Sequence, residues 1–435
     1  MDFLWNKING KPDFPELSGD IKTDVLIIGG GMAGVLCAKF LETTGADYVL
    51  AEAKTIGNGI TKGTTAVLTA QHDTLYQDII KKYGFNKAKQ YLNANLRAVE
   101  SFKRLSEEID CDLEIKPSIM FSLNDKTLMQ NEVNVVRSLG LNAELISDTS
   151  LPIPIAGAVK YPDMAQFHPL KFLYAAAGGL NIFENTFVRK LKDNVAFTDK
   201  GNIYAKKVII ATHFPFINTH GLYSMKLYQH RSYVIAYENA PDLGCTIEDA
   251  ADNGIYLRNY KNLLIIGGGD HRTGKTGGGY ETVRSFARKY FPTAKETLRW
   301  SNQDCVTLDG IPYIGRYSKL LPDVYVATGF GLWGMTTSMA AARILCDMVQ
   351  GKENENAAVF SPGRSVLHAQ LFKNIGESAV NFIIPTARRC SHLGCALKWN
   401  PTEHSWDCPC HGSRFGENGG LINNPAMKDI YMKKY

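Results

Sequence analysis

Asp24-Val-Leu-Ile-Ile28 is a short apolar run bounded on its far side by glycines, the pattern of a strand buried on both faces of a parallel sheet. Residues 32–43 then carry apolar positions at helical spacing, and Tyr48-Val-Leu-Ala51 reads as the next strand, so a β-α-β unit starts near residue 23. A long helical stretch from Lys87 to Glu108 follows. Strand-like runs recur at Val208–Ala211, Tyr233–Tyr237, Leu263–Ile266 and Val324–Ala327. The last of these leads through a glycine-rich turn into an Ala-rich helix, Thr336 to Val349. Residues 351–357 and Ser361-Pro-Gly363 read as a linker, and Val366 to Ile375 as a further helix. There is no internal repeat and no low-complexity tract.

The first β-α-β unit carries chemistry. Gly29-Gly-Gly31-Met-Ala-Gly34 is a G-x-G-x-x-G at the strand-to-helix junction, and Glu52 closes the second strand 23 residues after Gly29. Gly29 permits the tight turn, Gly31 lets backbone approach a pyrophosphate, and Gly34 allows close packing of helix on strand. The helix N-terminus favours phosphate, and the Glu52 carboxylate is placed to accept from ribose hydroxyls. The fingerprint alone leaves FAD and NAD open.

Length and composition narrow the class without naming a reaction. A chain of 435 residues suggests two or three domains. Hydrophobic residues at 45% and charged ones at 21% exclude global disorder and a fibrous fold. No apolar run approaches the roughly 18 to 20 residues that span a bilayer. The first twenty residues lack a charged region followed by an apolar core, so a cytoplasmic location without a signal peptide is expected. A net charge of +5, unclustered, gives no reason to expect nucleic acid.

Residues 59–72, rich in small hydroxyl side chains, follow the acidic residue at once. Late in the chain, Asp309-Gly-Ile-Pro-Tyr-Ile-Gly315 precedes Tyr325-Val-Ala-Thr-Gly-Phe-Gly-Leu-Trp-Gly-Met-Thr336. On these motifs the chain, over about residues 20 to 360, resembles the D-amino acid oxidase-like flavoproteins of the glycine oxidase and sarcosine oxidase group. The resemblance implies that Gly29, Gly31, Gly34 and Glu52 bind the ADP half of FAD. It implies that Thr61, Lys62, Gly63, Thr64 and Thr65 run beside the pyrophosphate and ring, and that Val188 lies at the adenine. Gly331, Gly334, Met335 and Thr336 would set a helix N-terminus against the flavin pyrimidine edge, where its dipole stabilises charge gained on reduction. Sarcosine oxidases of this group tether FAD through a cysteine at the position that is Asn302 here, so non-covalent FAD is expected and Cys305 reads as a packing residue.

Gly269-Asp-His-Arg-Thr-Gly-Lys-Thr276 matches the P-loop pattern letter for letter. A P-loop needs a helix starting at the Lys-Thr pair, and Gly277-Gly-Gly279 is expected to break one there, so the segment reads as a mobile loop between strands. In the resembling flavoproteins a strand ending Gly-Gly-x-Asp-His lies close to the flavin, which would put Gly268 and His271 at the border of the active site.

Of the nine cysteines, Cys37, Cys111, Cys245, Cys305 and Cys346 are scattered singly and read as buried thiols. Cys390, Cys395, Cys408 and Cys410 fall within 21 residues, interleaved with His392 and His411. A zinc site of two Cys and two His is one reading, though C-x-H is an unusual zinc spacing and two cysteines are left over. The pattern C-x-H-L-G-C…C-P-C-H-G-S resembles the Rieske [2Fe–2S] family. That resemblance implies Cys390 and Cys408 on one iron, His392 and His411 on the other, and a Cys395–Cys410 disulfide tying the two loops. Mixed ligation of this kind sets potentials within about −150 to +300 mV. Ser413 matches the family's serine to a bridging sulfide, whereas Phe415 stands where high-potential members have tyrosine. With one donor lost, a potential below that of the respiratory Rieske proteins is expected.

The expected fold is therefore α/β plus a small β module: a Rossmann-like FAD-binding domain, an interleaved antiparallel-sheet substrate domain, and a reduced C-terminal Rieske domain. The expected bounds are 1–85, 151–215 and 300–360 for FAD, 86–150 and 216–299 for substrate, 361–384 for the linker and helix, and 385–435 for the cluster module. The resemblances together imply an FAD-dependent dehydrogenase or oxidase acting on a C–N bond of an amine or N-substituted amino acid. Electrons would leave through the cluster to an external acceptor. A reductase taking electrons from a donor protein in the opposite direction, and a redox sensor without turnover, are the alternatives. His72, His271, Arg231 and Arg258 are the candidate catalytic residues, with His168, His213, His230 and Tyr233 as further substrate contacts. Either arginine suits a bidentate clamp on a carboxylate.

Overall fold

The computed structural model describes residues 2–8, 10–149, 151–251, 254–386 and 388–430. The outer ends of the expected first and last segments, residue 1 and residues 431–435, lie outside them. In chain order, the elements that build the sites are β1 (Ile21–Ile28), α1 (Met32–Thr43), β2 (Tyr48–Ala51), β3 (Ser118–Ser122), β4 (Gly201–Ile210), β5 (Leu227–Glu238), β6 (Thr246–Asp249), β7 (Tyr256–Tyr260), β8 (Leu263–Arg272), α2 (Gly279–Tyr290), β9 (Lys295–Thr307), β10 (Leu321–Thr328), α3 (Gly334–Val349) and α4 (Ala369–Ile383).

The fold is α/β with a small β module. Its first eight-stranded sheet is parallel at its centre: β1 lies between β4 and β2, with Ile27 opposite both Ile209 and Leu50, and β10 pairs in parallel with the last residues of β4, Val208 opposite Val324. These strands are apolar on both faces because helices cover the sheet; α1 and α3 pack against each other over it, burying Val35, Leu36, Met339 and Leu345. The second eight-stranded sheet runs β9-β5-β8-β7-β6-β3, then Gly157–Tyr161 and Glu144–Ile146. It is antiparallel except where β6 pairs β3 in parallel. A four-stranded antiparallel sheet (Lys398–Asn400, Ser405–Asp407, Arg414–Gly416, Leu421–Asn423) forms the C-terminal module.

Two local expectations are corrected. The P-loop look-alike is a strand in its first half, because β8 runs to Arg272, and a turn only in its second; no helix starts at Lys275-Thr276, as expected, and α2 begins only at Gly279. The helix before the module is longer than its apolar pattern suggests, Ala369 to Ile383, and it is turned around. Asn374 and Asn381 face the body, while Phe372, Val380 and Ile383 face solvent. The buried Asn374 takes Arg272 Nη1 at 2.8 Å and donates to the Met225 carbonyl at 3.1 Å, so backbone and guanidinium needs decide which face points in.

No described helix is long and apolar enough to cross a membrane.

Candidate flavin cavity and cluster pocket

At the end of β1 the chain turns through Gly29 at φ +112°, where a Cβ would lie 2.6 Å from the Ala211 carbonyl oxygen. One turn into α1, a Cβ on Gly34 would sit 1.8 Å from the Gly29 oxygen, so only glycine lets helix and strand meet this closely. Gly31 caps α1, and the hydroxyl of Thr61 accepts from the Met32 amide at 3.1 Å. Glu52, at the tip of β2, accepts the Gly30 amide at 2.6 Å and the Lys54 amide at 2.8 Å. Burial raises its pKa against those two bonds. Val188 is buried two residues beyond Thr186, whose amide bonds the Glu52 carbonyl at 2.8 Å. Glu184, which sequence reading passed over, accepts the Ile56 amide at 2.7 Å and shares this crevice.

Residues 63–66 form one wall of a cavity between the two large sheets. Four successive carbonyls of this stretch are held from behind: Gly63 by Trp300 Nε1 at 2.9 Å, Thr64 by Trp5 Nε1 at 2.6 Å, and Thr65 and Ala66 by Arg258 Nη1 at 2.5 and 2.7 Å. Gly63, Thr64 and Thr65 face the cavity, with Asn302, Trp333 and Met335 opposite or beside them. Lys62 turns away, bonding Asn58 Oδ1 at 2.5 Å, and burial lowers its pKa. At the start of α3, Gly331 takes φ +57° and donates to the Cys305 carbonyl at 2.8 Å, and nothing stands within 4 Å of where a Gly334 Cβ would be. Thr336 is buried and its hydroxyl meets His72 Nε2 at 3.3 Å. Cys305 is buried, its thiol pushed up to about 12 by burial, and does not line the cavity.

The four candidate catalytic residues are not brought together. His72 stacks on Trp333 with 4.8 Å between ring centres and bonds Tyr91 and the Thr69 carbonyl, and burial drives its pKa down to about 3; it is a neutral brace for the start of α3. His271 bonds the Tyr233 hydroxyl at 2.9 Å and lines a separate groove with His230, Asp270 and Thr276. Arg231 points away from the cavity and into the C-terminal module, paired with Glu403 at 2.5 Å, so it is no free carboxylate clamp. Arg258 does line the cavity. Its Nη2 is buried without a partner among the described residues, and burial lowers its pKa to about 9. His168 is spent on capping a helix, accepting from the Lys171 amide at 3.2 Å.

Sequence reading missed the cavity's carboxylates. Asp304 faces in from β9 and accepts from the Ser232 hydroxyl at 3.2 Å; burial pushes its carboxyl up to about 7. Glu248 faces in from β6, accepting from Gln71 Nε2, and burial followed by the charge of Asp73 raises it further. Asp270, on the neighbouring groove, has its Oδ1 unpartnered among the described residues and is raised to about 8 by burial and by the charges of Asp304 and Asp73. None of the three pairs with a cation among the described residues.

In the C-terminal module two short loops face each other. Cys390 to Gly394 and Cys408 to Gly412 each close with a glycine amide bonded to the first cysteine's carbonyl at 2.9 Å. Cys395 and Cys410 are joined by a disulfide that links the loops. The Cys390 and Cys408 sulfurs share a hydrogen bond, which lowers the first thiol and raises the second. The rings of His392 and His411 meet edge to face at 4.9 Å, and the Nδ1 atom of each is buried with no partner among the described residues. Burial pushes His392 to about 4 and His411 to about 3, so both are neutral imidazoles. A buried imidazole nitrogen without a partner is costly unless an ion meets it. Two thiol sulfurs and two such nitrogens are the mixed donor set a Rieske cluster takes. Ser413 and Phe415 are both fully buried in the module, so phenylalanine leaves no hydroxyl at its position.

The histidine end of this pocket is turned toward the rest of the chain. His392 Nε2 lies 2.7 Å from Asn218 Oδ1, and Phe214 presents its ring to both histidines at 6.3 Å. The carbonyls of residues 409–412 are all bonded by side chains of the second sheet: Pro409 and Cys410 by Arg272 at 3.0 and 3.1 Å, His411 by Gln229 at 2.7 Å, Gly412 by Gln303 at 2.8 Å.

Comparison with known proteins accounts for both sites. The family described as FAD dependent oxidoreductase matches residues 24–348, and the Rieske [2Fe-2S] domain matches residues 375–435. The chain is similar over its whole length to YhfW of Bacillus subtilis (strain 168), described as a Rieske 2Fe-2S iron-sulfur protein, at 33% identity over 98% of this chain and 96% of that one. It is 25% identical to the gamma-glutamylputrescine oxidoreductase of Escherichia coli (strain K12), over 78% of this chain and 86% of the relative. Among solved structures, glycine oxidase from Geobacillus kaustophilus shares the fold with a TM-score of 0.68 and 22% identity, over 79% of this chain and 99% of its own.

Proposed function

The chain belongs to the FAD dependent oxidoreductase family and carries a Rieske [2Fe-2S] domain, and from that premise we propose that it oxidises a C–N bond of an amine or N-substituted amino acid. The C–N single bond becomes C=N: the carbon gives up a hydride and the nitrogen a proton, and two electrons leave singly for an external acceptor. FAD, when bound, supplies the two-electron acceptor and the cluster a one-electron carrier.

The chain's own residues divide the work. Gly29, Gly31 and Gly34 admit the pyrophosphate of FAD, and Glu52 takes its ribose. Thr61 to Thr65 carry the loop along the flavin, while Trp5, Trp300 and Arg258 fix that loop by its carbonyls. Gly331, Gly334, Met335 and Thr336 offer the start of α3 to the ring, braced by His72. Cys390, Cys408, His392 and His411 hold the cluster. The observation that carries the reading is the direction of the cluster pocket. Its two histidines face Phe214 and Asn218 of the flavoprotein, and the strands that wall the cavity bond the cluster loop from their other face.

The test is the visible spectrum of anaerobic protein as amines, N-methyl amino acids and polyamines are added. One of them should bleach the flavin band and then the cluster bands. If none does, and a reduced ferredoxin instead reduces the cluster and then the flavin, the chain is a reductase.

A further inference from the structure

The cavity wall is short of positive charge. Asp304 and Glu248 line it, against one cation among its described lining residues, Arg258. Arg258 is already committed: Nη1 holds the Thr65 and Ala66 carbonyls, and only Nη2 is left. Carboxylates taken out of water without a counter-ion are strongly disfavoured, so such groups either stay protonated or receive a cation from a ligand. Their raised pKa values agree with the absence of a cationic partner among the described residues. The acids are also spread out. Asp304 on β9 and Glu248 on β6 are separated by four strand intervals, about 19 Å at roughly 4.8 Å each before the side chains reach inward. A single ammonium cannot satisfy both.

Resting on the reading that this cavity holds the substrate over the flavin, we propose that the substrate is a linear polyamine longer than a diamine, bound through one cationic nitrogen at Asp304 and another toward Glu248. Ser232 orients the Asp304 carboxylate, and Gln71 and Ser118 orient Glu248: Gln71 donates to the carboxylate and accepts from the serine hydroxyl at 3.3 Å. The loss of Arg231 to the C-terminal module removes one of the two arginines that would favour a substrate carboxylate.

The probes are butylamine, 1,4-diaminobutane, spermidine and 4-aminobutanoate, added to the anaerobic FAD- and cluster-loaded protein, with dissociation constants read from saturation of the change in the flavin band. Affinity should rise with length and charge, spermidine binding at least about tenfold tighter than 1,4-diaminobutane, and 4-aminobutanoate binding weakest. Asp304→Asn should weaken spermidine about tenfold or more and leave 4-aminobutanoate unchanged or improved. Glu248→Gln should flatten the difference between spermidine and the diamine. The resting flavin spectrum and melting temperature of each variant report whether it has folded. Equal or tighter binding of 4-aminobutanoate, or two folded variants that keep the wild-type order, would overturn the proposal. If amines bind in the expected order and none reduces the flavin, the cation site stands and the C–N oxidation reading falls. If carboxylated substrates bind better and do reduce the flavin, that reading stands and the polyamine proposal falls.

Discussion

Strands β5 and β9 have two faces, and the protein treats buried charge on them in opposite ways. Alternate residues look toward the cavity or toward the C-terminal module, as the pleat requires. Ser232, Asn302 and Asp304 point to the cavity; Gln229, Arg231, Ser301 and Gln303 point to the module. On the module side every charge is matched. Arg231 forks onto Glu403 at 2.5 and 3.0 Å, Glu403 also takes Ser301 and Arg414, and Arg414 takes Asp407 at 3.0 Å. On the cavity side Asp304 has one hydroxyl. A matched buried charge belongs to a permanent interface, and an unmatched one waits for a ligand.

That contrast is most open to attack at Arg231. Arg231→Met leaves Glu403 buried beside Arg414 alone, and breaking one side of a buried pair costs about 3–5 kcal/mol. A urea or thermal melt should show this loss, and adding Glu403→Gln should recover much of it. Little change in the single variant would mean that the interface does not depend on the pair.

Removing a charge on the other face should have the opposite sign. With its carboxyl raised to about 7, Asp304 in the ligand-free fold resists ionisation, so stability falls as pH rises from the unfolded value near 3.9. Asp304→Asn should therefore stabilise ligand-free protein, with the gain fully developed above pH 7 and absent near pH 4. The same titration governs binding. Diamine affinity should rise between about pH 6 and 8 as Asp304 ionises, and fall only when the amines lose their protons near 10. The groups that act on Asp304 are Ser232 on β5, Arg231 through its charge from the opposite face of β5, Asp270 on β8 and Tyr256 on β7. Asp270, raised to about 8, extends that rise in the same direction.

Glu403 gives a smaller effect at acid pH. Burial alone would raise it, but Arg231 and Arg414 bring it down to about 2. Its stabilisation is complete above the ordinary carboxylate value and is lost as pH falls through 4 toward 2, where melting temperature should drop more steeply than in Glu403→Gln. The smallest effect concerns Phe415: Phe415→Tyr should raise the cluster potential in a redox titration, provided the new hydroxyl reaches a ligand sulfur. An unchanged potential would show that the missing donor does not tune it.

The two binding motifs were legible because their physics is local. The turn at Gly29 and the contact of Gly34 with it span six residues, and each cluster loop closes within five. What decides the roles of the other candidates is long-range. Arg231 reads from sequence as a substrate clamp until Glu403, 172 positions away, takes it. Arg258 is fixed by carbonyls 192 and 193 positions away. Asp304 looks like one polar residue in a polar strand; the pleat that turns it inward and Gln303 outward is visible only once β9 is paired with β5. Trp5 gave no signal at all, since its role rests on reaching the Thr64 carbonyl.

The proposed function makes cavity and cluster one electron-transfer unit fixed by this sheet. A single turnover with the amine that bleaches the flavin tests it directly, following the cluster bands over a tenfold range of protein concentration. A docked module predicts that the cluster is reduced after the flavin at a rate independent of concentration. A rate proportional to protein concentration, or a cluster left oxidised beside a bleached flavin, would contradict it.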